Sequence, residues 1–188
     1  MVARIILSAV IDGDRQDTAE FMNGTDFYFV QGSKELWKTQ LKHFEQKYAK
    51  FNTITPINHA RGFFSEQCLN FAQKHEGGIY RLTLPTGGGK TLASLRYALS
   101  HATEYSKKRI IFVIPLLSIL EQNSAVIRKY IQDESILTEH HSNMIKTFET
   151  EKELDQYELL CDTWNSPIII TTLVQLLNTL FSHRTTAI

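Results

Sequence analysis

The stretch LPTGGGKT, Leu84 to Thr91, follows an apolar run and precedes a segment whose apolar residues recur at helical spacing. A strand that enters a glycine-rich turn and continues into a helix leaves successive backbone N–H groups pointing into one concavity at the positive end of the helix dipole. Such a concavity holds phosphate. Gly87, Gly88 and Gly89 let the backbone approach phosphate oxygens with no Cβ in the way. Lys90 reaches the β- and γ-phosphates as a point charge, and the Thr91 hydroxyl joins a Mg²⁺ shell. The general pattern of these loops, G-x-x-x-x-G-K-S/T, asks for glycine where Leu84 stands, so this copy departs there and fits at its last four residues.

Working outward, apolar or β-branched runs at Ile79 to Leu84, Arg109 to Ile114 and Ile168 to Thr172 read as strands. Lys90 to Glu104, Leu117 to Tyr130 and Glu151 to Asp162 read as helices between and beside them. This alternation predicts an α/β fold with a parallel sheet, a partial RecA-like sheet with flanking helices. Ahead of it the pattern is helical. Ile5 to Phe21 reads as one helix ended by NGTD. Ser33 is placed to cap a second helix running to about Lys50, with Leu36, Trp37, Leu41, Phe44 and Tyr48 on one stripe. Pro56 disfavours helix at Thr55 and marks a boundary. The expected division is therefore 1–30, a helical segment; 31–56, a helical linker; and 57–188, the α/β part. The final FSHRTTAI carries no stop signal, and the chain is expected to be a piece of a longer one.

Composition narrows the classes. Lys and Arg number 20 against 20 Asp and Glu, so contact with nucleic acid has to come from a local patch or from backbone amides. The two cysteines, Cys68 and Cys161, have no metal-spaced partner, which fits a reducing cytoplasm. Neither an export signal nor a run of ~20 apolar residues is present, so no membrane association is expected.

Phosphate-binding loops serve kinases, GTPases, transporters and nucleic-acid motors alike, and the neighbouring segments have to decide. PTGGGKT, with Pro85 and Thr86 ahead of the glycines, resembles motif I of superfamily-two helicases; RIIFVIP followed by LLSILEQN resembles their motif Ia. IYRLTLPTGGGKTLASLRYALSHA, RIIFVIPLLSILEQN, EHHSN and PIIITTLVQLL are similar, in that order and spacing, to the CRISPR-associated helicase-nuclease of type I interference systems. The resemblance runs from about Ile57 onward. It implies ATP on Pro85, Thr86, Gly87, Gly88, Gly89, Lys90 and Thr91, with Lys90 and Thr91 as catalytic residues and Mg²⁺ on Thr91. It further implies ATP-driven translocation along single-stranded DNA, in antiviral defence beside a CRISPR RNA-guided surveillance complex. A small-molecule kinase has no use for motif Ia or for the IIITT run.

LSAVIDGDRQDTAEF, from Leu7, is similar to the last helix of the HD nuclease domain that precedes the helicase in that family. The resemblance gives Asp14 the place of the final ligand of a divalent transition metal, which activates water for phosphodiester hydrolysis. Without the resemblance, Asp12 and Asp14 read as a solvated helix face. Candidate contacts to DNA are Pro115, Ser118, Thr171 and Thr172, because ligands of open α/β sheets sit at the carboxyl ends of strands. They would reach phosphates through N–H groups and hydroxyls, in a sequence-independent mode; capping is the ordinary alternative for Thr172. Gln67 lies ahead of the loop at a distance seen for adenine-reading glutamines in helicases. Asp133 and Glu134 in QDES imitate a Walker B pair, but the polar segment before them is no buried strand, so they read as a helix end. His140 and His141 are adjacent on an extended segment and point to opposite faces, which suits a turn better than a metal pair. Without a Walker B carboxylate or a second lobe, the chain by itself is expected to turn over ATP barely above background, with or without DNA.

Overall fold

A computed structural model of the chain describes residues 6, 7, 9–11, 13, 14, 17, 18, 21, 30–50, 54–140 and 164–181. The described positions between 6 and 21 are helical. The expected helix at Glu151 to Asp162 lies outside the described residues, as do Asp12 and His141. The chain divides into two compact units. One takes Gly32–Ile110 with Glu121–Ser135; the other takes Met1–Gln31, Ile111–Leu120 and Ile136–Ile188.

The first unit is built on three helices: α1 (Lys34–Tyr48), α2 (Pro56–Lys74) and α3 (Lys90–Glu104). Each of the first two begins on a side-chain cap, worth about 1 kcal/mol. The Ser33 hydroxyl accepts from Leu36 N at 3.1 Å, and Thr55 Oγ1 accepts from Asn58 N at 3.3 Å with Pro56 in the first turn. The amphipathic reading of α1 places its seam correctly: Trp37 and Phe44 are buried, and the Trp37 indole donates to Lys107 O at 2.6 Å. Helix α3 packs on both α1 and α2 and contributes Ala93, Leu95, Leu99 and Ala102 to the core.

Arg96 of α3 lies inside this packing, with its guanidinium donating to three residues. Its Nε and Nη2 donate to the Glu45 carboxylate at 2.6 and 2.7 Å, and its Nη1 donates to Glu66 Oε2 at 3.1 Å and Ser65 Oγ at 3.3 Å. The guanidinium also lies 5.2 Å from the centre of the Tyr48 ring. Burial opposes the charge, but the hydrogen bond and attraction from Glu45, with help from Glu66, more than offset it and hold Arg96 protonated. One side chain thus fastens all three helices.

The second unit carries the sheet. Strands β1 (Ile110–Ile114), β2 (Leu137–His140) and β3 (Ile168–Thr172) lie in the order β1-β3-β2, so the fold class is α/β with a three-stranded parallel sheet among the described residues. Strand β2 pairs in parallel with β3, Leu137 opposite Ile168 and His140 opposite Thr171. The central strand is buried on both faces, at Ile168, Ile169 and Ile170, which is why it reads as an unbroken apolar run and not as an alternation. Helix α4 (Leu117–Arg128) follows β1, its residues from Glu121 onward belonging to the first unit, and α5 (Leu173–Phe181) follows β3 and packs on it.

One expected strand is absent. Ile79 to Leu84 forms no ladder with any described residue, and Ile79, Tyr80 and Leu82 are exposed. An apolar run specifies burial but not a pairing partner. Here Tyr80 sits edge-on against Phe71 at 4.9 Å, and its hydroxyl donates to Glu76 O at 3.3 Å, so the segment is fixed by side chains of its own unit. Helix α2, in turn, is not among the helices read from the sequence, where Pro56 marks only a boundary. The Thr55–Pro56 pair is its start signal.

Candidate nucleotide site

The loop from Leu84 to Gly89 adopts the conformation that its glycines permit. Gly88 N donates to Pro85 O at 3.1 Å, closing a tight turn, and Gly87 and Gly89 have φ of 78° and 80°. These left-handed values cost an L-residue roughly 1–2 kcal/mol each. Gly89 is the N-cap of α3 and supplies no side-chain cap, so the first N–H groups of a 15-residue helix remain available at the loop. With the dipole behind them they form an anion site. Lys90, the first helical residue, is exposed.

Two further residues complete the loop: Arg61, which no sequence motif singles out, and Asn123, the last residue of the LLSILEQN segment, to which the motif gives no role at the loop. Arg61 of α2 donates from Nε to Gly87 O at 2.8 Å and from Nη1 to Asn58 Oδ1 at 3.0 Å. Its stem lies against Gly89, where an added Cβ would stand 3.3 Å from Arg61 Cγ. Its own carbonyl accepts from the Tyr48 hydroxyl at 3.4 Å. Lys90 is therefore not the loop's sole cation. Asn123 of α4 accepts the Thr91 hydroxyl on Oδ1 at 2.8 Å. Neither partner has a spacing signal: Arg61 lies 26 positions before the Gly87 carbonyl it holds, and Asn123 stands 32 positions beyond Thr91.

The set fits a nucleoside triphosphate with its Mg²⁺. Left-handed glycines, an uncapped helix N-terminus, an exposed lysine and a threonine hydroxyl are the donor set such a group needs. Pro85 and Thr86, in the turn before the glycines, are exposed. Beside the loop a cavity of about 440 Å³ is lined by Phe64, Gln67, Cys68 and Phe71 of α2, by Tyr80, Arg81, Leu82 and Leu84, and by Ser94 and Tyr97 of α3. Gln67 is thus a wall residue of an aromatic cavity that begins at Leu84. Burial pushes the Cys68 thiol above its ordinary range, with Arg96 pulling the other way, which disfavours the thiolate.

The remaining candidates are placed as follows. Pro115 and Ser118, after β1, are exposed. Thr171 is fully buried and its hydroxyl donates to His140 O at 2.8 Å, so that hydroxyl is not offered to a phosphate in this conformation. Thr172 Oγ1 accepts from Gln175 N at 3.2 Å and caps α5. His140 Nδ1 accepts from the Trp164 indole at 2.9 Å, a structural contact at the end of β2. Asp133 and Glu134 precede β2, so they are not a pair at a strand's carboxyl end. Asp133 Oδ1 accepts from Ser135 N at 2.9 Å, and Glu134 pairs with Arg128 at 3.0 Å.

Asp14 is exposed on a helical segment, where its carbonyl accepts from the Thr18 hydroxyl at 2.8 Å. Among the described residues no three His, Cys, Asp or Glu side chains cluster as a metal site. No helix among the described residues is long and apolar enough to cross a membrane.

Compared with known families, residues 35–186 match the one described as type III restriction enzyme, res subunit. No curated protein matches the chain.

Proposed function

The chain belongs to the type III restriction enzyme res subunit family, which makes it superfamily-two helicase-like, and from that premise we propose that Leu84 to Thr91 binds ATP·Mg²⁺ to drive movement along single-stranded DNA. The observation that carries the reading is the left-handed Gly87 and Gly89 turn, which delivers an uncapped helix N-terminus and Lys90 to one place. Lys90 neutralises the β- and γ-phosphates, Thr91 takes the metal, and Arg61 holds the loop in its binding shape. Mg²⁺, when bound, spreads the charge that develops on the transferred phosphoryl group. Adenine is assigned to the aromatic cavity, with Gln67 as the polar reader on its wall.

DNA contact is assigned to exposed Pro115 in the turn after β1, to exposed Ser118 in the first turn of α4, and to the start of α5 at Thr172. The contact is to the phosphate backbone and independent of sequence.

The setting we propose is cytoplasmic antiviral defence by a type I CRISPR system, beside an RNA-guided surveillance complex and an HD nuclease whose last metal ligand is Asp14. That part rests on the sequence motifs alone. A motor of a restriction system is the second reading, favoured by the family match itself. Finding CRISPR repeats and an upstream His-Asp motif in the flanking DNA would support the first; finding a neighbouring modification methyltransferase would support the second.

Fluorescence anisotropy with a labelled single-stranded oligonucleotide tests the motor reading. Binding that weakens at higher salt and on Ser118→Asp is the expected result. Absence of binding, with and without ATP·Mg²⁺, would reject the DNA assignment.

A further inference from the structure

Within a helix, a Ser or Thr hydroxyl has an acceptor close by in the carbonyl four residues earlier. Ser94 donates to Lys90 O at 2.6 Å, Thr103 to Leu99 O at 2.7 Å and Thr179 to Gln175 O at 2.9 Å. Thr91 does otherwise. The carbonyl four residues before it belongs to Gly87 and already accepts Arg61 Nε. The Thr91 hydroxyl donates instead to Asn123 Oδ1, a neutral acceptor on α4.

A threonine hydroxyl has one proton and two lone pairs. Once the proton is committed to Asn123, the rotor is fixed and the lone pairs face away from that bond. A metal binds the lone pairs and leaves the proton in need of an acceptor. The Thr91–Asn123 bond satisfies both requirements before any metal arrives.

We propose that Asn123 is a positioning residue for the metal that accompanies the nucleotide: it takes the Thr91 proton and so presents the hydroxyl oxygen to Mg²⁺. The inference rests on the reading of Leu84 to Thr91 as an ATP·Mg²⁺ site and adds to it a partner from a different helix. Groups that orient a metal ligand in this way are typically worth about 10–100-fold in metal affinity.

The test is a titration of the full chain with a fluorescent ATP analogue, once in excess Mg²⁺ and once in EDTA. In the parent, Mg²⁺ tightens binding. Asn123→Leu, close in shape but with no acceptor, is expected to lose about tenfold of that gain and to keep its affinity in EDTA. Asn123→Asp keeps an acceptor and restores the gain. Thr91→Val, which removes the metal-binding oxygen itself, should lose at least as much of the gain as Asn123→Leu, and the double variant should be no worse than Thr91→Val alone. Should Asn123→Leu fail to fold, Asn123→Ala, which also removes the acceptor, carries the test, with the same loss of the Mg²⁺ gain expected and a full gain overturning the proposal.

A full Mg²⁺ gain in Asn123→Leu, or equal losses in Mg²⁺ and in EDTA, would overturn the proposal while leaving the nucleotide site intact. A parent that binds no nucleotide under either condition would overturn the site, and the role of Asn123 with it.

Discussion

Arg61 Nε donates to Gly87 O at 2.8 Å and thereby fastens α2 to a loop residue whose φ is 78°. The bond does two things at once. It holds the left-handed turn from outside the loop, and it ties the carbonyl four residues before Thr91 to α2. The same guanidinium reaches Asn58 Oδ1 at 3.0 Å, so its position is set at both ends.

Loss of this clamp should therefore weaken the loop without unfolding the unit. A hydrogen bond from a charged donor contributes about 1.5–3 kcal/mol, which corresponds to roughly tenfold or more in affinity. Arg61→Ala is expected to weaken ATP-analogue binding by about that factor, read by fluorescence titration. Arg61→Lys should not restore it, because an ammonium lacks the fork that serves Gly87 and Asn58 together.

Arg96 gives a prediction about stability alone. Arg96→Met removes the group that joins Glu45, Ser65 and Glu66, but the Glu45 and Glu66 side chains are 37% and 54% exposed and recover water in its absence. The cost should fall at about 1–3 kcal/mol, below the figure for a fully buried pair. A urea melt should show a lower midpoint at an unchanged slope. Glu66→Gln, at the exposed end, should stay within about 0.5 kcal/mol of the parent.

How legible this was in the sequence depends on the kind of interaction. Helix α3 was readable at both ends, because Gly89 and the apolar stripe after it are local signals, and α1 was readable from Ser33 and its seam. The strand at Ile110–Ile114 and the central strand at Ile168–Thr172 announced themselves as apolar runs. The strand expected at Ile79 to Leu84 did not form, because pairing depends on a distant partner and the run itself cannot name one. Of the site, the glycines, Lys90 and Thr91 were legible as a contiguous motif. Arg61 and Asn123 were not, since each reaches the loop through the packing of another helix.

His43 supplies a pH dependence. Its Nε2 is shut off from solvent with no hydrogen-bond partner among the described residues, and desolvation, followed by repulsion from Lys47, lowers its pKa below the ordinary imidazole value. The folded state thus binds the proton more weakly than the unfolded state. Its contribution to stability is complete above the unfolded value of about 6.5 and is lost as pH falls from there through the folded value. Urea midpoints at pH 7.5 and 5.5 should show a drop at the lower pH that is smaller in His43→Leu. An equal drop in both proteins would assign the dependence to other groups.

The central claim is that Leu84 to Thr91 holds a nucleoside triphosphate. Lys90→Ala removes the exposed cation at the first helical position and leaves the glycines and the helix in place. Titration of parent and variant with a fluorescent ATP analogue in Mg²⁺ is the most direct measurement. Saturable binding by the parent, with loss of at least tenfold in affinity on Lys90→Ala, is the predicted result. Equal binding by the two proteins, or none by the parent, would contradict the claim.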